Sequence, residues 1–184
     1  YALGKVTNNR VFWIASDEVL TPGLQEEIRE FKKGEPRFPV YSVARRAFFL
    51  GRWIKHGGWY PGRVPRLFDK SRVKFNNNAV HEGLDFAGEA GNLANDLEHY
   101  TDLNIKHYYA KFNEYTSLAA IDLNKKGKSF GMLDLLIRPP FIFFKMYLLR
   151  LGFLDGIQGF ILAVFSANYV FTKYAKLWEL NKKG

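Results

Sequence analysis

Near residue 100 the apolar residues change from extended segments to helical periodicity, and that change limits what this chain can fold into. Before it, apolar residues fall in short runs closed by Gly, Pro and Asn. After it they recur at helical spacing. The pattern predicts a mixed α/β fold, with a sheet region over roughly residues 37–97 and a helical region beyond Thr101.

Within the first part, residues 10–14 read as a short buried strand. Thr21-Pro22 opens a helix, Thr as N-cap and Pro in the first turn. Leu24, Ile28 and Phe31 share one face of it, and Lys32-Lys33-Gly34 closes it. Residues 37–51, 63–68 and 72–75 are extended, Asn76-Asn77-Asn78 is a turn, and residues 80–84 begin another strand. Thr101 is expected to open a long helix with Ile105, Tyr108, Tyr109, Phe112, Tyr115 and Ala119 in one stripe, closing at Lys125-Lys126-Gly127. Such a stripe usually faces a core. Arg138-Pro139-Pro140 is a breaker, after which helices are expected over residues 141–151 and about 156–180.

With 184 residues, 47% hydrophobic and 24% charged, the chain has the composition of a globular protein with a sizeable core. Its net charge of +9 suits an anionic partner. Nucleic acid is not indicated: there is no zinc-ligand spacing, no aromatic RNA-binding strand pair and no long basic helix, and the cations lie scattered in doublets such as Arg45-Arg46. The absence of cysteine excludes disulfides, thiolate catalysis and thiolate metal sites, and fits a reducing cytoplasm.

One stretch is unusual: Phe48-Phe49-Leu50-Gly51-Arg52-Trp53-Ile54-Lys55-His56-Gly57-Gly58-Trp59-Tyr60-Pro61. Two cations, an imidazole and two indoles surround a Gly pair. Aromatic faces cover the apolar face of a pyranose, while Arg, Lys and His bind hydroxyls and phosphates. A hairpin whose aromatics fill the core and whose charges face water fits the residues equally.

Leu50, Gly51, Arg52, Trp53, His56, Gly57, Gly58, Trp59, Tyr60 and Pro61, then Arg66-Leu67-Phe68, then His81-Glu82, form an ordered series. It resembles the acceptor-side region of family 2 glycosyltransferases, in the branch that builds lipopolysaccharide core. His99-Tyr100, Lys111, Tyr115, Arg138-Pro139, Gly152-Phe153, Asp155-Gly156 and Tyr174-Ala175-Lys176-Leu177-Trp178 extend the match along the chain. The resemblance implies a partial GT-A-like mixed sheet with flanking helices over residues 1–100, and a helical C-terminal region, able to associate with a membrane, over 101–184. It places residues 1–22 where the family's nucleotide-binding half ends. Base and ribose recognition is then expected to lie outside this chain, and the 184 residues alone are not expected to transfer sugar at an appreciable rate.

The family's Asp-x-Asp metal motif reads Ala15-Ser16-Asp17 here. The resemblance makes Asp17 the ligand of a divalent metal, Mg2+ or Mn2+, whose other ligands would come from the donor phosphates. Alternatively Asp17 beside Glu18 caps the next helix. The implied reaction is inverting transfer from a nucleotide-diphosphate sugar donor to a hydroxyl of a lipopolysaccharide-core-like or lipid-linked acceptor. Inversion needs a general base, for which Glu82 is the candidate, with His81 orienting it or binding the acceptor. Arg66, and Arg52 after it, would bind the diphosphate; Trp59 and Tyr60 would cover the acceptor sugar, and His56 would hydrogen-bond it. The alternative reading is a non-catalytic glycan- or lipid-binding remnant, which the Ala15 replacement suits.

Residues 156–172 carry no charge and are flanked by Lys173, Lys176, Tyr174 and Trp178. This stretch is slightly short for a span, and Gln158, Ser166 and Asn168 weaken it further. The start of this helix is expected to lie in the plane of an anionic membrane together with residues 141–151, the alternative being helices packed on each other and on the sheet. The corresponding location is cytoplasmic, peripheral on the inner face of the cytoplasmic membrane.

Overall fold

A computed structural model describes residues 2–76 and 83–183. In chain order the elements are α1 (Ala2–Lys5), β1 (Arg10–Phe12), β2 (Glu18–Leu20), α2 (Pro22–Phe31), β3 (Val40–Phe49), β4 (Arg52–Trp53), β5 (Gly62–Asp69), β6 (Val73–Phe75), β7 (Leu84–Phe86), β8 (Ala90–Asp102), α3 (Ile105–Lys125), α4 (Met132–Leu136), α5 (Arg138–Phe144) and α6 (Gly156–Lys183). The mixed α/β organisation is as expected. Two compact units divide the chain: Tyr1–Ala47 with Tyr60–Thr101, and Phe48–Trp59 with Asp102–Gly184.

The first unit is built on a sheet in the order β1-β5-β3-β8-β2. β1 with β5, β5 with β3 and β2 with β8 are antiparallel. β3 and β8 run the same way: Tyr41 lies against Gly91 and Arg46 bonds Asp96, so residue numbers advance together. The sheet is therefore mixed. Helix α2 forms where expected. Thr21 Oγ1 accepts from the Leu24 amide at 3.2 Å, Pro22 occupies the first turn, and Leu24 is fully buried. Strand alternation sends Tyr41 and Val43 of β3, Leu93 and Leu97 of β8, and Leu20 of β2 to the face that α2 covers, where they form one core with Leu24, Ile28 and Phe31. On the other face, the β6–β7 hairpin adds Val73, Leu84 and Phe86 to a second core with Val40 and Phe68.

In the second unit β4 folds back on the end of β3, pairing Phe48 with Trp53 and Phe49 with Arg52. Phe49 and Ile54 are buried against Leu162 of α6, with Tyr108 of α3 stacked on Phe165 at 4.4 Å. A further core joins Ala120 of α3 to Tyr174 and Leu177 of α6.

Three local expectations are corrected. Thr101 continues β8, and Asn104 is the N-cap of α3, its side chain accepting from the His107 amide at 2.8 Å. The α3 stripe is rotated: Thr116 and Ala120 are its buried residues, while Ile105, Tyr109 and Tyr115 are exposed. Small residues allow α6 a close approach there, and Lys176 Nζ reaches Asn113 O, Thr116 Oγ1 and Ser117 Oγ, each at 2.8 Å. The helix expected over residues 141–151 instead starts at Arg138, with Pro139 in its first turn. It widens into a π-helical turn at Lys145–Leu149 and ends at Leu151, which adopts a left-handed φ of 57°. A 3-10 turn at Gly152–Asp155 then leads into α6.

Candidate functional site

In the first unit charged side chains continue the face that α2 covers, past the end of its apolar core. The alternation that buries Val43, Leu97 and Leu20 also places Arg45 on β3, His99 on β8 and Glu18 on β2 on that face. Arg66 joins them through a bulge. Tyr41 opposes Leu67 while Ser42 opposes Pro65, so Arg66 has no partner on β3 and its side chain is re-aimed.

The result is one charged cluster. Arg66 Nη2 donates to Glu18 Oε1 at 2.6 Å, with both side chains nearly buried, and its guanidinium lies 5.0 Å from the centre of the Trp13 ring. The other Glu18 oxygen accepts from the Ala15 amide at 3.0 Å, fixing the turn that carries Asp17. Asp17 keeps a third of its side chain exposed, and Oδ2 lies 3.3 Å from His99 Nε2. Burial and then the nearby Arg45 hold His99 below its ordinary pKa, so a neutral imidazole faces Asp17. Burial and then Arg66 lower Arg45 in turn, opposed by Glu18 and Asp17. The buried Nε atoms of Arg45 and Arg66 have no hydrogen-bond partner among the described residues. Two guanidiniums and two carboxylates thus balance in the cluster, with Asp17 the more exposed of the two acids.

A divalent cation finds less here. Among the described residues no three His, Asp or Glu side chains gather as a ligand set, and Glu18 is committed to Arg66. Asp17 offers one carboxylate, so the protein groups described do not by themselves complete a cation site.

Asp17 and Arg66 are therefore brought together, with Glu18 between them. Tyr60 lies on the opposite face. Its hydroxyl donates to Asp96 at 3.2 Å, Asp96 also accepts from Arg46 Nε at 2.7 Å, and burial followed by Asp96 raises the tyrosine's pKa. Glu82 and His81 lie outside the described residues, as do Asn77-Asn78 of the expected turn and the start of the strand expected over 80–84.

The second unit contains the Arg52–Trp59 part of the unusual stretch. Its organiser is Asp155, which is almost fully buried and accepts from the amides of Lys55 (3.2 Å) and His56 (2.8 Å). The same carboxylate pairs with His56 Nδ1 at 3.0 Å, which orients a ring that stays about a third exposed (32%). The Gly57 amide donates to Arg150 O at 2.9 Å, and Arg150 lies so close over Gly58 (φ 84°) that a Cβ there would meet its Nη1 at 2.0 Å. Trp59 packs beside Phe49 and Ile54, as a core residue would. Arg52 and Lys55 are exposed, Arg52 Nη2 reaching Leu154 O at 3.4 Å and Lys55 lying over the Trp53 ring. His99 and Asp155 appear in the sequence only as parts of the family series; neither Arg45 nor Glu18 is marked by it. The signal that was available is strand alternation, which puts Arg45 in line with Val43 and His99 in line with Leu97.

Comparison with known proteins adds the following. No family model and no solved structure matches the chain. It is 28% identical over 181 residues to the lipopolysaccharide core biosynthesis glycosyltransferase LpsC of Rhizobium meliloti (strain 1021), covering 97% of this chain and 67% of that protein. An uncharacterized glycosyltransferase of Rickettsia typhi is 28% identical over 194 residues, covering all of this chain and 66% of that protein. One of Rickettsia prowazekii is 27% identical over 194 residues, with the same coverage. The chain thus spans about two thirds of the length of the curated relatives it matches, and those relatives are glycosyltransferases by name.

Proposed function

We propose that this chain is part of an inverting glycosyltransferase of family 2 type, which moves a sugar from a nucleotide-diphosphate donor to a lipopolysaccharide-core or related glycolipid acceptor. The observation that carries the reading is similarity along the whole chain to glycosyltransferases, one of them named for lipopolysaccharide core biosynthesis. The charged cluster of the first unit supports it. Asp17 is exposed enough to meet a donor, and Arg45 beside it supplies positive charge for a departing diphosphate. A divalent cation, Mg2+ or Mn2+, would take one oxygen from Asp17 and the others from the diphosphate, neutralising leaving-group charge. His99 then acts on Asp17 by orienting its carboxylate. Arg66 works through Glu18, holding the turn on which Asp17 stands.

In the second unit His56 is assigned to an acceptor hydroxyl, its ring oriented by Asp155, with Arg52 beside it for acceptor or phosphate charge. Trp59 supports that loop from below. Glu82 remains the proposed base, with His81 as its neighbour. An acceptor on a lipid places the enzyme on the inner face of the cytoplasmic membrane.

Sugar transfer by the protein of the full reading frame, with nucleotide-diphosphate sugars and a lipopolysaccharide core acceptor, tests the proposal. Transfer is expected, with a loss of at least about a hundredfold in kcat on Asp17→Asn or Glu82→Gln, the scale of a lost general base or charge stabiliser. Core binding without transfer would favour the non-catalytic remnant, which Ala15 and the single uncommitted carboxylate of the cluster also suit.

A further inference from the structure

The second unit exposes an apolar ridge with an unusual charge pattern. Leu133, Ile137, Phe141, Phe144 and Leu148 follow one another at helical intervals through α4, α5 and the π-helical turn, and all are exposed. Leu149, Leu154 and Ile157 continue the exposure around the following turn into α6. From Phe130 to Trp178 the chain has only two acidic residues, Asp134 and Asp155, and five cations: Arg138, Lys145, Arg150, Lys173 and Lys176. Both acids are buried and bonded, Asp134 to Arg138 and the Gly131 amide, Asp155 to the Lys55–His56 segment. Arg138 is paired with Asp134 and Lys176 is bonded into α3, so the ridge offers its surroundings apolar side chains with Lys145 and Arg150 among them, and no exposed carboxylate.

We infer that this ridge docks in the plane of an anionic phospholipid bilayer, and that it holds the Arg52–Gly58 loop at headgroup level. The docking stands on the ridge alone; what the loop meets there, an acceptor headgroup, rests on the proposed function. Charge complementarity selects the occupant. Each Lys or Arg near an anionic leaflet strengthens binding about fivefold, while exposed apolar side chains enter the headgroup boundary. A second copy of the chain fits poorly, because a two-fold contact would set these cations against themselves with no acid to meet them.

Crossing the bilayer is a different matter. The segment Gly152–Lys182 is long and apolar enough to do so, with an 18-residue stretch of mean hydropathy 1.3. Yet α6 buries Leu162, Ala163, Tyr174 and Leu177 within the unit. Lys176 fixes it to α3, which carries Lys106, Lys111, Glu114, Asp122 and Lys125. A helix bound along its flank to a charged helix belongs at the interface.

The height of the loop follows from its fastenings. Gly57 is bonded to Arg150, Lys55 and His56 to Asp155, and Arg52 to Leu154, so every fastening ends in the turn that closes the ridge. If Leu149 and Leu154 enter the boundary layer, Arg52, Lys55 and His56 stand just above it, where phosphates and sugar hydroxyls are.

The chain contains no cysteine, so one introduced cysteine carries a unique spin label. Flotation with phosphatidylcholine vesicles, with and without phosphatidylglycerol, measures docking of the 184-residue chain. Binding is expected only or mainly to the anionic vesicles, falling at least tenfold in Leu149→Glu/Leu154→Glu with an unchanged circular dichroism spectrum. Accessibility of the label to oxygen and to a water-soluble relaxant should place Leu154→Cys below the phosphates and Lys55→Cys among the headgroups. Asp155→Asn, or Asp155→Ala if it folds, should move the Lys55→Cys label outward while leaving flotation intact. The inference is overturned if the chain does not float, if the glutamate pair floats unchanged, or if the Lys55→Cys label stays in bulk water on bound protein. It is equally overturned if light scattering shows a dimer that the glutamate pair dissolves and no vesicle binding. Flotation without sugar transfer by the full protein would retain the docking and remove the proposed function instead.

Discussion

The sheet unit and the helical unit treat charge in opposite ways. In the first, acids and bases meet: Glu18 with Arg66, Asp17 with His99, Asp96 with Arg46 and Tyr60. Along the ridge of the second, the acids Asp134 and Asp155 are buried and consumed locally, and Lys145 and Arg150 stand among exposed Leu, Ile and Phe. A cluster of paired charges can hold a ligand in a defined position because its geometry is fixed before binding. A cationic apolar ridge recognises a surface, where position along the plane does not matter. The difference separates a place for chemistry from a place for attachment.

The comparison is tested most severely at the buried pair. Arg66→Met leaves Glu18 charged and nearly buried without its partner, and should cost about 3–5 kcal/mol in urea unfolding. Glu18→Met together with Arg66→Met should recover much of that, since two apolar residues leave no stranded charge. If the single and double variants were equally unstable, the pair would not be the organising feature of the cluster.

Asp155 is the counterpart in the second unit. Asp155→Ala removes the acceptor for two amides and the His56 ring, and should cost about 2–3 kcal/mol. Hydrogen exchange should quicken at Lys55, His56 and Gly57 and stay unchanged at the Thr21 cap. Equal loosening of both regions would mean that the acid serves general stability and not the loop.

Gly58→Ala is a milder probe of the same loop. Its φ of 84° and the Arg150 guanidinium over it both resist a Cβ, for a loss of about 1–2 kcal/mol in the melting transition. The arginine is flexible, which keeps the expected cost at this level.

The smallest effect concerns pH. Burial and then Arg45 lower the folded pKa of His99 beneath its usual value near 6.5. Folding thus favours the neutral ring, and that contribution is full above the unfolded pKa and fades as pH falls through the lower folded one. Stability should decline from pH 6.5 downward, and His99→Gln should flatten the decline. An unchanged slope would place the acid sensitivity elsewhere.

Much of the architecture was legible in the residues. Thr21-Pro22 and the Leu24, Ile28, Phe31 stripe predicted α2 because capping and amphipathic spacing are local properties. The three-residue strand at Glu18–Leu20 was not, since it exists only through pairing with β8. Thr101 and Asn104 are both N-cap residues, and the continuation of β8 to Asp102 settled which one served. The aromatic stripe of α3 pointed to a core, but Thr116 and Ala120 were buried because α6 packs closest where side chains are small.

For the site, the sequence by itself determined the chemical inventory: Asp17 without a first carboxylate, cations and an imidazole around a Gly pair, and acid-free stretches after Arg138. Only the tertiary structure decided how that inventory is spent. Arg66 looked available to a ligand and is committed to Glu18, because a bulge turns it there. Asp155 had no assigned role and proves to fasten the loop, because a buried carboxylate must find donors and the nearest amides lie about 100 residues away in sequence. Composition and local spacing are fixed by the chain alone, whereas the partner of a buried charge depends on which distant strand or turn the fold brings within hydrogen-bond reach.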